Sequence, residues 1–175
     1  VSELVSNNIL GMKNGVDIYG GFAGTETKVW ERQNDVKGFP ILETILSGDL
    51  RNEAVIDPAT TVGDRRTEAS KANACHGVVY ANVGSYTYLN GVSVKYGMGL
   101  DNAGASTSWN YGGGVYSINL NLVLINVKVS DNTARNGGGV SSGTNTNCAI
   151  YSNSATSGGG VYFGTNTNCT IYSNS

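Results

Sequence analysis

Charge is scarce in this chain. Of 175 residues, 11 are Lys or Arg and 13 are Asp or Glu, giving a net charge of −2. No basic stripe is available to neutralise a phosphate backbone, so nucleic acid is not an expected partner. No apolar run approaches the ~18 residues of a membrane-spanning helix, so no span is expected. Histidine occurs once and cysteine three times, scattered, with no metal-ligand spacing. Neither a metal nor another cofactor is therefore expected. Three is also an odd number of thiols, so at least one has no partner within the chain. There is no initiator Met and no signal peptide, which reads as an excised or processed piece.

Glycine, by contrast, is abundant: 25 residues, about twice average usage. Val, Ile, Leu and Tyr recur throughout, which argues against a disordered Gly-rich polymer. The C-terminal part nearly repeats itself. "GGGVSSGTNTNCAIYSNS" starts at Gly137 and "GGGVYFGTNTNCTIYSNS" at Gly158, and 3 of the 18 positions differ. Triple glycines fall at Gly112, Gly137 and Gly158. Alternating runs start at Val127 ("VKVSDN"), Cys148 ("CAIYSN") and Cys169 ("CTIYSN"), 21 residues apart each time.

Alternation with period two is a strand signal. A unit of about 20 residues with two or three short strands cannot bury its own apolar face, but stacked copies can. Each strand then pairs in parallel with its copy one coil away, about 4.8 Å along an axis. Parity assigns the faces. Val127, Cys148 and Cys169 point inward, with Val129, Ile150 and Ile171. Val92 and Val94 fit the same columns, and Val115, Val140 and Val161 make another. Lys128, Ala149 and Thr170 face outward, as do Ser130, Tyr151 and Tyr172. Two Asn ladders are expected at bends, Asn126–Asn147–Asn168 and Asn132–Asn153–Asn174, because Asn tolerates left-handed backbone and can bond to its copy.

The expected fold is all-β, a parallel β-helix (solenoid), as one domain over residues 1–175. Residues 1–90 form irregular coils with long loops. Residues 91–175 form regular coils, with 21-residue repeats from about 137. In the first half, Val16–Phe22, Thr44–Leu50 and His76–Asn82 read as strands. The intervening stretches 23–40 and 51–75 hold most of the charge, and "TEASKANA" near Thr67 is the one helical signal. Loops this long are often functional or mobile.

"VDIYGGFAGTET", then "TILSGDL", "LNGVSVKYG" and repeated "GGGV" with "YSNS", resembles secreted right-handed parallel β-helix proteins of bacteria. The repeats are similar to the polymorphic outer membrane protein repeat, marked by a GG-[AIV] and an F-x-x-N element. Here Tyr replaces Phe at Tyr151 and Tyr172, and "VSDN" stands at Val129. The resemblance implies a right-handed single-stranded parallel β-helix of the pectate-lyase type, in a surface-exposed or secreted protein, adhesin- or stalk-like, within a longer chain with more coils and further domains.

An enzyme on this fold needs clustered acids, and a lyase also needs a basic residue to take a proton. The candidate catalytic cluster is Asp49, Arg51 and Glu53, followed by Asp64, Arg65, Arg66 and Glu68. A solvated charged loop is the favoured reading of it, since the regular coils carry almost no acid beyond Asp131. Cys75 and His76 are sequence neighbours on a strand and so face opposite ways, which disfavours a nucleophile pair. "TNTN" at Thr144 and Thr165 suggests an ice-binding Thr array. Parity opposes it, because Thr146 shares phase with inward Cys148 unless the chain bends at Asn147. Glu26 and Arg32 could pair, with Trp30 covering part of the core.

Tyr80, Tyr86, Tyr88, Tyr96, Tyr111, Tyr116, Tyr151, Tyr162 and Tyr172 form a larger group, several at outward positions. Such rings suit carbohydrate or protein contact, though they can equally stack on one another along the ladder. The candidate ligand-binding residues are Tyr151, Tyr172 and Lys128.

The expected function is a non-catalytic segment of a bacterial surface or secreted protein, with a polysaccharide or a host or cell-surface protein as partner. The alternatives are a carbohydrate-active β-helix enzyme (polysaccharide lyase or glycoside hydrolase) and a carbohydrate-binding module. Cys169 and Ile171 are expected to be core residues with nothing stacked beyond them, which implies end-to-end self-association.

Overall fold

The computed structural model describes residues 10–49, 77–99 and 111–175. The helical signal near Thr67, Cys75 and His76, and Leu50 at the end of the Thr44–Leu50 stretch lie outside them. Within them the chain is all-β apart from one 3-10 turn at Val29–Glu31.

The strands follow one another as a parallel β-helix. The first coil holds β1 (Leu10–Met12), β2 (Ile18–Tyr19) and β3 (Ile45–Ser47). The second holds β4 (Val79–Ala81), β5 (Thr87–Asn90), β6 (Ser93–Lys95) and β7 (Met98–Gly99). The third holds β8 (Val115–Ser117), β9 (Leu122–Ile125), β10 (Lys128–Ser130) and β11 (Thr133–Asn136). The fourth is β12 (Val140–Ser141), β13 (Thr144–Thr146), β14 (Ala149–Tyr151) and β15 (Ser154–Ser157), and the last β16 (Val161–Tyr162), β17 (Thr165–Thr167) and β18 (Thr170–Tyr172). They stack as four sheets, in the orders β1-β4-β8-β12-β16, β2-β5-β9-β13-β17, β3-β6-β10-β14-β18 and β7-β11-β15.

A full coil thus has four strands, where alternation alone suggests two or three. The difference lies at the corners. In the fourth coil each corner carries a residue with positive φ, which turns the chain and resets the side-chain parity. These are Ser142 (φ 62), Asn147 (φ 51), Ser152 (φ 54) and, leading into the next coil, Gly158 (φ 64). The strands between them are two to four residues long.

The register matches the 21-residue columns. Lys128 pairs with Ala149 and Ala149 with Thr170, and likewise Val129 with Ile150 and Ile150 with Ile171. Val94 continues that column upstream, and Val115, Val140 and Val161 form the other. Inside, Leu89, Val94, Leu124, Val127, Val129, Val140 and Ile150 are fully buried. Burial of each such side chain is worth about 1.5–3 kcal/mol, so the stack supplies the core that one coil lacks.

The glycine triplets allow the coils to approach. A Cβ on Gly138 would stand 2.3 Å from the carbonyl oxygen of Ser154 and 2.6 Å from that of Gly159. Gly113 below and Gly159 above are equally crowded by backbone.

Polar rails complete the interior. Asn132 and Asn153 are 1% exposed. Asn153 Nδ2 donates to the carbonyls of Val129 (2.9 Å) and Tyr151 (3.0 Å) and to Oδ1 of Asn174 (3.1 Å). At another corner, Asn147 Nδ2 donates to Asn126 Oδ1 and Asn168 Nδ2 to Asn147 Oδ1. Both expected Asn ladders are present. An Asn also replaces an apolar column: Asn145, fully buried, pairs in register with Leu124, which pairs with Leu89.

Candidate functional site

The most elaborate surface feature is the connection between β2 and β3, folded back over the outer face of the third sheet. Arg32 fixes it. This guanidinium is 8% exposed and donates to the Gly20 carbonyl (3.0 Å), Asn90 Oδ1 (2.9 Å) and Asn34 Oδ1 (3.2 Å). Its partners are neutral, and burial lowers its pKa from the ordinary arginine value. The Glu26–Arg32 pair suggested by the sequence does not form. Glu26 instead accepts backbone N–H groups from Ala23, Gly24 and Thr25. Those bonds, the one from Ala23 foremost, hold its carboxyl below the usual range. Trp30 does not cover the core either; it is 78% exposed, with Lys28 above its ring.

The tip of the connection is a tight turn built on Asp35, whose Oδ1 accepts the N–H groups of Lys37 and Phe39. Phe39 is buried, and Lys128 Nζ lies 5.5 Å from its ring centre. Glu43 pairs with Lys95 at 3.2 Å and accepts the Ser93 hydroxyl. The Ser93 hydrogen bond, then Lys95, keep the Glu43 carboxyl below its usual range.

The residues singled out from the sequence are therefore distributed. Lys128 lies beneath Phe39 and lines a small cleft with Pro40, Leu42 and Glu43. Tyr151 and Tyr172 stack on each other in the neighbouring outward column, centroids 5.2 Å apart and planes 12° apart. Asp49 follows β3, its N–H bonded to Ser47 Oγ at 3.1 Å. Arg51 and Glu53, and the residues 64–68 after them, lie outside the described residues. A second cleft of about 260 Å³ is lined by Gly21, Ala23, Thr25, Glu26, Glu31, Gln33 and Leu42. Among the described residues, no group of three or more His, Cys, Asp or Glu could hold a metal ion.

Parity proves no obstacle to the Thr array. Asn147 does bend the chain, so Asn145 turns inward while Thr144 and Thr146 face outward, registered with Thr165 and Thr167. The array spans two coils; the positions beneath are Val123 and Ile125.

Cys148 and Cys169 are free thiols in the inward column. The backbone N–H of Cys148 donates to Sγ of Cys169 at 3.4 Å. The Cys148 thiol hydrogen bond, helped by that N–H, lowers the Cys169 pKa to about 6 against the opposing effect of burial. Cys148 is shifted upward by the same partnership and by its deeper burial.

Four other tyrosines singled out from the sequence, Tyr80, Tyr111, Tyr116 and Tyr162, gather in a second aromatic group. On the first sheet, the outward position after the core Val is Tyr80, Tyr116, Ser141 and Tyr162 in successive coils. Tyr111 lies against both Tyr116 (5.7 Å, 21°) and Tyr162 (6.1 Å, 44°), spanning the coil where Ser141 stands. Tyr80 contacts Tyr116 at 5.7 Å, and Phe163 meets Tyr162 edge-on at 4.6 Å. Burial, with Tyr80 and Tyr111 adjacent, pushes the Tyr116 phenol up. The sequence signal for this strip is the substitution of "SS" by "YF" between two otherwise similar repeats.

No family model, curated protein or solved structure matches the chain. Among the described residues, no helix is long and apolar enough to cross a membrane.

Proposed function

We propose that this chain is a non-catalytic β-helical segment of a bacterial surface or secreted protein, serving as an adhesin or stalk. The observation that carries the reading is the make-up of the regular coils. Interior Asn rails and crowded glycine columns lock successive coils together. The outward positions of the fourth and fifth coils hold uncharged Thr, Ala, Tyr and Ser. Such a stack is suited to rigidity and to contact, and a polysaccharide or a cell-surface protein is the partner it would meet.

The test has two arms. The producing bacterium is labelled with an impermeant amine reagent and fractionated, and the chain is incubated with polygalacturonate, alginate, xylan and cellulose, with and without calcium. The expected result is labelled protein at the surface or in the medium, and no reducing ends or unsaturated products. Product release that Asp49→Ala abolishes would replace this reading with the enzyme, and unlabelled cytoplasmic protein would remove the surface assignment.

A further inference from the structure

We infer that Tyr151 and Tyr172 are an oxidative cross-linking site, at which a one-electron oxidant joins the two rings as dityrosine and fastens the fourth coil to the fifth. The inference goes beyond the adhesin or stalk reading and does not rest on the surface assignment.

Geometry carries it. Tyr151 and Tyr172 are register partners on β14 and β18, and each is followed by a left-handed corner, Ser152 (φ 54) or Ser173 (φ 52). Their side chains therefore leave the sheet in the same direction. On one side of the pair the Thr170 N–H donates to the Cys148 carbonyl (2.9 Å), and on the other the Ser175 N–H donates to the Asn153 carbonyl (3.0 Å). The rings so held lie face to face, centroids 5.2 Å apart and planes 12° apart. Phenoxyl radicals couple through overlapping π faces. A parallel stack needs only a short slide to bring two ortho carbons together, and reactants held in place combine at effective concentrations that a second chain in solution does not reach.

The other tyrosine contacts among the described residues are less suited to coupling. Tyr80–Tyr116 and Tyr111–Tyr162 are tilted by 52° and 44°, at 5.7 and 6.1 Å. Tyr111–Tyr116 is closer to parallel, at 21°, but its centroids are 5.7 Å apart. Tyr172 is also 50% exposed, which opens it to an oxidant, and Tyr151 is half-buried one coil below.

The class of oxidant is a haem peroxidase with hydrogen peroxide. Each phenol gives one electron to the oxidant and its proton to water. The two phenoxyl radicals form one carbon–carbon bond between their ortho positions, and the hydrogens on those carbons move to the phenol oxygens. Hydrogen peroxide takes up the two electrons and two protons and leaves as two waters. The new bond joins residues 21 positions apart, so it restricts the unfolded chain as a disulfide does, but reductants do not open it.

The experiment treats the full chain, dilute enough to be monomeric, with a haem peroxidase and hydrogen peroxide, beside Tyr172→Phe and Tyr162→Phe. Tyr172→Phe keeps a ring in the stack and removes one phenol. The wild type is expected to gain dityrosine fluorescence at monomer mass. Its peptic peptides should be joined through Tyr151 and Tyr172, with the loss of two hydrogens. Tyr172→Phe should yield about a third of the fluorescence or less, because the held pair is gone, and Tyr162→Phe should yield as much as the wild type. Oxidation should raise the urea midpoint of the wild type and leave that of Tyr172→Phe unmoved. Five outcomes would each overturn the proposal: no dityrosine in the wild type, dityrosine only in cross-linked dimers, coupling led by the more exposed Tyr86, an undiminished yield in Tyr172→Phe, or a wild-type midpoint that oxidation does not raise. None of them bears on surface labelling, so failure here leaves the surface reading to its own test.

Discussion

The side-chain amide of Asn132 donates to Oδ1 of Asn153, 21 residues on, at 3.0 Å. The backbone N–H of Asn132 donates to that same oxygen at 3.1 Å. Asn153 repeats both bonds to Asn174. The side chains thus form a hydrogen-bonded rail inside the stack, satisfying backbone groups at a corner where the strand ladder is interrupted.

Removing a rung should be costly. Asn153→Ala removes the acceptor of the buried Asn132 N–H and the side-chain donor to the carbonyls of Val129 and Tyr151. Buried polar groups left without partners cost about 1–3 kcal/mol each when water cannot reach them. We expect a loss of about 3 kcal/mol in urea unfolding, and under 1 kcal/mol for Asn168→Ala at the exposed ladder. Equal losses at the two sites would contradict the interior rail.

A second replacement should stabilise. Asn145 is fully buried, and its Oδ1 has no hydrogen-bond partner. The same column holds Leu89 and Leu124 in the two coils before. Asn145→Leu removes the orphan oxygen and extends the leucine column, while Asn166, exposed, can bond to water. The urea midpoint is expected to rise, by about 1–2 kcal/mol in free energy. A fall would mean that the coil is too tight there for a leucine.

How much of this was legible follows from what the repeat does and does not encode. The 21-residue period fixes the columns, so Val127 with Cys148 and Cys169, and both Asn ladders, could be placed from sequence. The four-sheet cross-section could not, because two of its corners are Ser142 and Ser152, which look like ordinary strand residues until their positive φ is seen. The joining of Tyr80, Tyr111, Tyr116 and Tyr162 into one strip was hidden for another reason. Ser141 interrupts the column, and the ring that closes the gap, Tyr111, lies outside the repeat. The cover that Phe39 places over Lys128 is a contact across 89 sequence positions, which no local pattern announces.

The two repeat thiols should differ in reactivity. Cys169 titrates near pH 6, whereas an unfolded thiol titrates near 8.5. A folded value below the unfolded one means that its contribution to stability is fully present above the unfolded value and lost as pH falls through about 6. Iodoacetamide should modify Cys169 with a half-maximal rate near pH 6 and reach Cys148 only on unfolding. Cys148→Ala removes the thiol donor and should shift that midpoint upward. An unmoved midpoint would show that the Cys148 thiol is not its cause.

The open face of the last coil leads to the final prediction. Among the described residues, β16, β17 and β18 each pair on one side only. Ile171, the top of the Val94–Val129–Ile150 column, is 44% exposed where its predecessors are fully buried. Unpaired backbone beside an apolar column is a template for another strand. The 175-residue chain on its own should therefore associate through this face as concentration rises. Ile171→Lys places a charge on the open column while leaving the lower coils intact, the device by which sheet edges avoid pairing. Sedimentation over roughly a hundredfold concentration range should give a rising mean mass for the wild type, as mass action requires, and a constant one for the variant. Amide exchange should distinguish the two as well, with protection of Thr170–Tyr172 increasing with concentration in the wild type only. A wild-type chain that stays monomeric across the range, with slow exchange through β18, would mean that the edge is closed by the chain itself.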